Sequence, residues 1–142
     1  MRILGIDTGS KRMGFALSDE LGITAQGLST IEYLDRGTLF DKIKDIVVKF
    51  SVKEIIVGLP INMDGSRGEQ AEKTIEFCEM LKNKIDIPIK LWDERMSTLE
   101  VERIMIQADI SRNKRKKKID KLAAQVMLQS YLDSLERNKE NN

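Results

Sequence analysis

Apolar residues in this chain are grouped into short runs and helical stripes that follow one another along the sequence. The first segments have strand character and are joined by short links, which predicts an antiparallel meander. The meander covers residues 2–7, 13–18 and 23–32. Two later apolar runs, 55–58 and 89–92, have the composition of short strands buried in a parallel sheet.

Helical spacing of the apolar side chains begins after the meander. Leu39, Phe40 and Ile43, for example, fall on one stripe of a helix. The predicted helices cover residues 36–51, 69–84, 97–108 and 119–137. A meander followed by strands that alternate with helices predicts an α/β domain, with a mixed five-stranded sheet and helices on both faces.

Length and composition narrow the class of protein. With 142 residues, 41% of them hydrophobic, the chain fits one domain over 1–137 and a polar tail at 138–142. No signal-peptide pattern is present, and no apolar run approaches the roughly 20 residues that span a bilayer. We therefore expect a cytoplasmic protein without a membrane partner. The lone Cys78 lies in a helical apolar pattern and is expected in the core.

The chain contains no histidine. This excludes Ser-His-Asp and Cys-His catalysis, and it excludes zinc bound by histidine. Acid–base chemistry must therefore fall to carboxylates, lysine, tyrosine or a metal-bound water. The net charge is +1, which by itself argues neither for nor against a nucleic-acid partner.

A carboxylate ends the first predicted strand. Asp7 follows the apolar run 3–6 and precedes a segment with glycines at positions 9 and 14. An ionised carboxylate at the end of a buried strand is costly to desolvate unless a cation or a hydrogen-bond donor meets it. The alternative is that Asp7 forms a turn by accepting hydrogen bonds from the backbone amides that follow it. Taken alone, Asp7 leaves both interpretations open.

Two further acidic positions have the same double interpretation. Asp93 and Glu94 directly follow the last predicted strand, at the carboxyl end where open α/β sheets form their binding crevice. A salt bridge to Arg95 or to a nearby lysine is the competing explanation. Asp120 falls in line with the apolar stripe of the last helix, but an acid in a first helical turn also interacts favourably with the helix dipole.

Taken together, the acids predict a metal-dependent hydrolase. A sheet can bring Asp7 and either Glu94 or Asp93 to one edge, while the last helix delivers Asp120 across it. Like charges at that distance repel unless divalent cations hold them, and carboxylate oxygens suit Mg²⁺ or Mn²⁺. Two such ions about 4 Å apart support in-line hydrolysis of a phosphodiester.

Positive charge is concentrated close to the acidic positions. Six of the seven residues from 112 to 118 are Lys or Arg. Such a run is often only a solvated loop or helix start, but cations at a helix N-terminus oppose its dipole, which favours a polyanion as the partner. The candidate nucleic-acid contacts of basic character are Lys11, Arg12, Arg95, Arg112, Lys114, Arg115, Lys116, Lys117 and Lys118.

The loop over residues 58–68 is a further candidate contact. Its glycines allow close backbone approach, and the amides at the start of the following helix can hold a phosphate. Asn62 and Ser66 are the side chains that we assign to nucleic-acid binding in this loop. The same composition is common in plain connectors, and the loop matches neither a Walker A motif nor a dinucleotide fingerprint.

Four motifs, in this order, resemble the YqgF family, whose members are described as RuvX-like Holliday junction resolvases or as pre-16S rRNA nucleases. The motifs are GIDTGSKRMGFA at 5–16, VGLPINMDGS at 57–66, DERMST at 93–98 and KIDKLAA at 118–124. The resemblance implies a ribonuclease-H-like fold and a metal-dependent nuclease that matures the 5′ end of 16S rRNA in the bacterial cytoplasm. It also implies that Asp7, Asp93 or Glu94, and Asp120 bind the metal, and that the small-subunit precursor is a partner.

Other functions stay open at this point. The same chemistry on four-way DNA junctions predicts a preference for branched DNA at matched salt, and junction resolution favours a homodimer over a monomer. A non-catalytic nucleic-acid-binding or transcription-associated factor predicts binding that is indifferent to Mg²⁺ and to Asp7. An actin-like ATPase also opens with a strand-end aspartate, but one domain of this size is too small for a two-domain nucleotide cleft.

Overall fold

The computed structural model describes residues 2–8, 12–28, 30–32, 35–62, 64–93 and 112–140, with the backbone alone for 31–32, 112–121 and 137–140. The helix predicted over 97–108 lies outside the described residues. The described strands and helices are β1 (Arg2–Thr8), β2 (Arg12–Ser18), β3 (Ala25–Gly27), β4 (Ile31–Glu32), α1 (Arg36–Lys49), β5 (Val52–Leu59), α2 (Glu69–Lys84), β6 (Ile89–Asp93) and α3 (Arg112–Glu140).

The strands form one mixed sheet, as predicted. Its order is β3-β2-β1-β5-β6, and β4 also pairs with β2. β1 pairs with β2 in an antiparallel manner and with β5 in a parallel manner, and β5 pairs in parallel with β6. The central strand β1 therefore ends beside the end of β5 and the start of β2. We call this side of the sheet the carboxyl edge, marked by Thr8, Leu59, Asp93 and Arg12.

The third predicted strand is divided into two short strands, which corrects the expectation of one strand over 23–32. Ala16 pairs with Gly27 in β3, whereas Met13 pairs with Ile31 in β4, so the register shifts by one residue between them. The Leu28 amide still donates to the Phe15 carbonyl at 2.7 Å. The sheet thus has five strand positions, and the outermost of them is interrupted by an extra residue of the β-bulge kind.

Helices cover both faces of the sheet, as predicted. One face packs against α1 and α2, where Leu4 and Ile6 of β1 join Phe40 and Phe77 in the larger apolar cluster. The other face packs against α3, whose Ala124, Met127 and Leu128 join Ile3, Ala16 and Ile56. The alternation of side chains along β1 therefore assigns Leu4 and Ile6 to one layer and Ile3, Gly5 and Asp7 to the other.

Gly5 is a described glycine at which an added Cβ would have a tight contact, because α3 packs directly against β1 there. A Cβ at position 5 would lie 3.0 Å from the Cβ of Leu128. A glycine at this position lets the helix pack directly against the backbone of the central strand. This contact fixes the height of α3 above β1.

The helix α3 is longer than its apolar stripe. It runs from Arg112 to Glu140, whereas the stripe predicted a helix over 119–137. The basic run 112–118 therefore forms the first turns of the helix instead of preceding it, and the first residues of the predicted tail are also helical. Lys, Arg and Glu are good helix formers, so the helix extends beyond the residues that contact the sheet. No helix of the described chain is long and apolar enough to cross a membrane.

Candidate active site

Asp7 lies half-buried near the carboxyl end of β1. It pairs with Gly14 of β2 and with Gly58 of β5, so neither strand partner places a side chain beside the carboxylate. Gly58 pairs in turn with Trp92 of β6. Paired residues share one side of a sheet, and Asp7, Gly58 and Trp92 therefore face the same side, which is the side covered by α3.

The contacts of α3 show which way the helix crosses this face. The Tyr131 hydroxyl donates a hydrogen bond to Glu54 Oε1 (2.9 Å) near the start of β5, and Leu128 lies over Gly5 in the middle of β1. The N-terminal half of α3 is therefore directed toward the carboxyl edge. One helical turn rises about 5.4 Å and two strand residues span about 6.6 Å, so α3 reaches the level of Asp7 about one turn before Leu128.

This direction brings the backbone of Asp120 toward the end of β1. Position 120 lies one turn before Ala123 and Ala124, which are 7% and 0% exposed and pack against the sheet. The turn of α3 that lies opposite Asp7 therefore carries two small side chains, Ala123 and Ala124. The backbone at position 120 therefore lies toward the end of β1, and the Asp120 side chain is outside the described part of the chain.

The register separates the two candidates for the second acid. Asp93 is exposed and pairs with Leu59, one position beyond the pair of Gly58 and Trp92. Strand alternation therefore turns Asp93 toward the α1 and α2 side, away from the face that carries Asp7. Glu94, like Lys11 and Arg95, lies outside the described residues.

A polar cluster anchors α3 to β5 and β6. Glu54 is 15% exposed and accepts hydrogen bonds from the Tyr131 hydroxyl and from Lys90 Nζ (3.1 Å). Burial, followed by the hydrogen bond to Glu54, raises the pKa of Tyr131, and the hydrogen bond to Glu54 raises the pKa of Lys90. The Trp92 ring meets the Tyr131 ring edge-on at 5.2 Å. The sequence pattern did not predict this cluster, although Tyr131 falls on the apolar stripe of α3.

A second polar contact, also missed, holds the end of β1 on the opposite face. The hydroxyls of Thr8 and Thr74 lie 2.6 Å apart, and Gln70 Nε2 donates to the Thr8 carbonyl at 3.1 Å. Thr74 occupies the inward stripe of α2 together with Ala71 and Cys78. A threonine in an otherwise apolar stripe was the available signal in the sequence.

The loop after β5 forms a tight hairpin at the carboxyl edge. Ile61 pairs with Arg67, and the side chain of Asn62 donates to Ser66 Oγ at 3.1 Å. Ser66 Oγ also donates to Asp64 Oδ1 at 2.6 Å. The two predicted contacts Asn62 and Ser66 therefore lie together on one exposed turn, where their hydrogen bonds also support the connector interpretation.

The described basic candidates for nucleic-acid binding lie toward the carboxyl edge. Arg12 opens β2 and is half-buried beside the end of β1. The run that begins at Arg112 forms the N-terminal turns of α3, which is the end of the helix directed toward the carboxyl edge. Arg12 and the backbone of the first turns of α3 therefore lie toward the same edge as Asp7, and the side chains of the basic run are outside the described part of the chain.

The donors available at this edge are suited to a hard divalent cation. Among the residues whose side chains are described, no three acidic, cysteine or histidine groups lie close enough together to hold a metal ion. Asp7 is one carboxylate, and the two acids proposed beside it, Glu94 and Asp120, fall outside that set. An all-oxygen donor set of one to three carboxylates fits Mg²⁺ or Mn²⁺, which fill the remaining positions with water and phosphate oxygens.

A mixed sheet with an acid near the end of its central strand and a helix crossing that face defines the ribonuclease-H-like class of α/β domains. Solved structures of this class superpose on the chain. Thermus thermophilus RuvC bound to a Holliday junction has a TM-score of 0.52 and 13% identity, covering 89% of this chain and 91% of that chain. The fowlpox virus Holliday junction resolvase has a TM-score of 0.56 and 16% identity, covering 95% and 99%. The predicted fold class is confirmed.

Sequence comparison narrows the class to one family. The family model described as "RuvX: Holliday junction resolvase" matches residues 1–134. A Desulforamulus reducens protein named "Putative pre-16S rRNA nuclease" is 54% identical over 137 residues, covering 94% of this chain and 98% of the relative. A Clostridium novyi protein of the same name is 50% identical over 135 residues, covering 95% and 100%. This chain belongs to the RuvX family, which confirms the resemblance read from its four motifs.

Proposed function

We propose that this chain is a nuclease that hydrolyses phosphodiester bonds in structured RNA, and that its substrate is the 5′-extended precursor of 16S rRNA in the small ribosomal subunit. The observation that carries the proposal is the position of Asp7, half-buried on the face crossed by α3, at the edge toward which the Asp120 end of the helix is directed. Two relatives named "Putative pre-16S rRNA nuclease" are 54% and 50% identical to this chain, and the matches cover 98% and 100% of their lengths.

Asp7, Glu94 and Asp120 are the proposed metal ligands. Glu94 is preferred over Asp93 because the register of β6 turns Asp93 away from the Asp7 face. These carboxylates would hold Mg²⁺ or Mn²⁺, which would supply an activated water and stabilise charge on the leaving oxygen. Asp7 lies between two glycine partners, so its neighbours in the sheet contribute no side chain beside it.

Cations around the carboxyl edge are proposed to hold the RNA backbone. Arg12 lies beside the end of β1, and the first turns of α3 carry the basic run. Lys11, Arg95 and the hairpin residues Asn62 and Ser66 complete the proposed contacts. Phosphate contacts of this kind position a substrate without reading its sequence, so the shape of the RNA selects the cut. The protein would act in the cytoplasm, where rRNA precursors are made.

The experiment compares wild type with Asp7→Asn, which keeps the size of the side chain and removes its charge. Asp45→Asn, an exposed acid on α1, is the matched control. Each protein is incubated with a 5′-extended 16S rRNA precursor and with a synthetic four-way DNA junction, in Mg²⁺, Mn²⁺ or EDTA. We expect cleavage of the RNA by wild type and Asp45→Asn in either metal, loss of cleavage in EDTA, and loss of turnover but retention of RNA binding in Asp7→Asn.

Two other results would redirect the assignment. Faster cleavage of the four-way junction than of the RNA at matched salt selects DNA junction resolution, the function in the description of the matching family model. Binding of RNA by wild type without any cut, in either metal, contradicts the nuclease proposal and selects a non-catalytic nucleic-acid-binding factor. A rate for Asp7→Asn equal to that of wild type removes Asp7 from the mechanism.

A further inference from the structure

Two groups of Thr8, the last residue of β1, form hydrogen bonds with α2: its backbone carbonyl and its hydroxyl. Gln70 Nε2 donates to the Thr8 carbonyl at 3.1 Å, and the Thr8 and Thr74 hydroxyls are 2.6 Å apart. Thr74 Oγ1 in turn donates to the Gln70 carbonyl at 2.9 Å. Because Thr74 has one hydroxyl proton and gives it to Gln70, the Thr8 hydroxyl is the donor toward Thr74. We call this closed set of hydrogen bonds among Thr8, Gln70 and Thr74 the Thr8 clamp.

The clamp holds the residue of β1 that lies beyond its parallel pairing with β5. The last pair between β1 and β5 is Asp7 with Gly58, so Thr8 lies one residue beyond the parallel ladder. On that side, the side chain of Gln70 meets the Thr8 carbonyl in place of a strand amide. The backbone carbonyl and the side chain of Thr8, the last residue of β1, are therefore both held by α2.

Burial argues against a simple packing role for the two threonines. Thr8 is 6% exposed and Thr74 is 1% exposed. Valine has nearly the same shape as threonine and would avoid the cost of desolvating a hydroxyl, since a buried hydrogen bond adds only about 0.5–1.5 kcal/mol net. What two valines could not supply is a directional contact that fixes Thr8 relative to α2.

We infer that Gln70 and Thr74 are positioning residues, which set the direction of the Asp7 carboxylate by clamping Thr8. Adjacent residues of a strand project to opposite faces, so a fixed Thr8 side chain on the α2 face fixes the Asp7 side chain on the α3 face. Gln70 is in the first turn of α2, immediately after the hairpin 61–67. The clamp thus joins the hairpin proposed to contact RNA to the strand that carries the proposed metal ligand. The inference rests on the proposed function of Asp7.

The test compares variants that remove hydrogen bonds of the clamp, one in Gln70→Met and two in Thr74→Val. Thr74→Val and Gln70→Met remove clamp donors at nearly constant volume, and Thr74→Ser restores the hydroxyl. Gln125→Met is the matched control, because Gln125 Nε2 also donates to a strand carbonyl, that of Ala25, far from Asp7 (3.2 Å). Thermal unfolding of every variant establishes that it is folded before other measurements are made.

Two measurements separate positioning from stability. The first is the split of kcat and KM on the RNA precursor. The second is quenching of the fluorescence of Trp92, the sole tryptophan, by Mn²⁺ without substrate. Trp92 is two strands from Asp7 on the same face, which is about 10 Å, within reach of a paramagnetic ion bound at Asp7.

For Thr74→Val and Gln70→Met we expect kcat to fall about tenfold with KM nearly unchanged, because small misplacements of a reacting group are costly. We also expect their half-saturating Mn²⁺ concentration to rise, while Thr74→Ser and Gln125→Met stay close to wild type. Folded clamp variants with wild-type kcat and wild-type Mn²⁺ quenching would overturn the inference and leave the nuclease intact. A wild type that binds Mn²⁺ but cuts no RNA would contradict the proposed function, whereas the quenching comparison would still decide the clamp.

Discussion

At the scale of single residues, neighbours in sequence can have opposite roles because a strand turns alternate side chains to opposite faces. Asp93 pairs with Leu59 and is directed toward the α1 and α2 side, while Asp7 and Trp92 face α3. The direction of Asp93 leaves Glu94 as the proposed second acid. We therefore predict that Glu94→Gln lowers kcat by about 100-fold or more, the loss expected when a ligand of a catalytic metal is removed.

Asp93→Gln serves as the control for that prediction, since it removes a charge one residue away. It should change kcat by no more than a few-fold in the same cleavage assay with the RNA precursor. The opposite ranking, with Asp93→Gln the more damaging variant, would show that β6 does not continue as a regular strand past residue 93. The second acid would then be Asp93.

Cys78 has no role in the proposed chemistry, and burial raises the pKa of its thiol. It is 2% exposed in the core beneath α2, and desolvation raises the pKa of its thiol to about 11 from 9.0. The folded state therefore holds the proton more tightly than the unfolded state. The associated stability is fully present below pH 9 and is lost as pH rises toward 11, and it amounts to about 2–3 kcal/mol at most.

We predict from this shift that the free energy of unfolding of wild type falls more steeply between pH 9 and 11 than that of Cys78→Ala. Urea denaturation at several pH values measures the difference. The native thiol should also react slowly with a disulfide reagent at pH 8 and rapidly in urea. Equal pH slopes for the two proteins would show that Cys78 does not contribute to the alkaline loss of stability.

At the scale of elements, the distance between α3 and the sheet depends on one missing side chain. A Cβ on Gly5 would lie 3.0 Å from the Cβ of Leu128, an atom that rotation of the Leu128 side chain cannot move aside. We predict that Gly5→Ala destabilises the protein by about 1–3 kcal/mol, the usual cost of overpacking a core. Because α3 also carries Asp120, the activity of the folded fraction should fall as well.

A double-mutant cycle identifies the cause of that loss. Leu128→Gly destabilises the protein by itself, but combined with Gly5→Ala it removes the Cβ that the new methyl group would meet. The two destabilisations should therefore sum to more than the double variant shows. Gly68→Ala is the control, since its Cβ would meet Asn62 only at ordinary contact distance, 3.5 Å. Strict additivity in the cycle would mean that Gly5 and Leu128 do not limit the approach of α3.

At the scale of the whole molecule, the fold followed from periodicity, whereas several details of the site depended on contacts between distant residues. The apolar run 3–6 predicted a buried strand ending at Asp7, and the stripe of α3 predicted that Asp120 lies in line with its buried side. The division of the third strand depends on its pairing with β2, which periodicity does not record. Thr8 and Thr74 are separated by 66 positions, so their contact had no local signature. The motifs named the family but left the choice between Asp93 and Glu94 to the register of β6.

The distribution of charge gives the final prediction, because the net charge of +1 conceals a strongly basic end of α3. If the first turns of this helix hold RNA phosphates, each contact releases counterions, and binding depends on salt in proportion to the number of contacts. The triple substitution of Lys116, Lys117 and Lys118 by Gln should weaken RNA binding. It should also reduce the slope of log Kd against log salt by about 2, at roughly 0.7 per lost contact with single-stranded RNA. Substituting Lys42, Lys44 and Lys53 by Gln removes the same charge from exposed positions in α1 and β5. If both triple variants change the slope equally, the basic run acts only through net charge and is not an RNA contact.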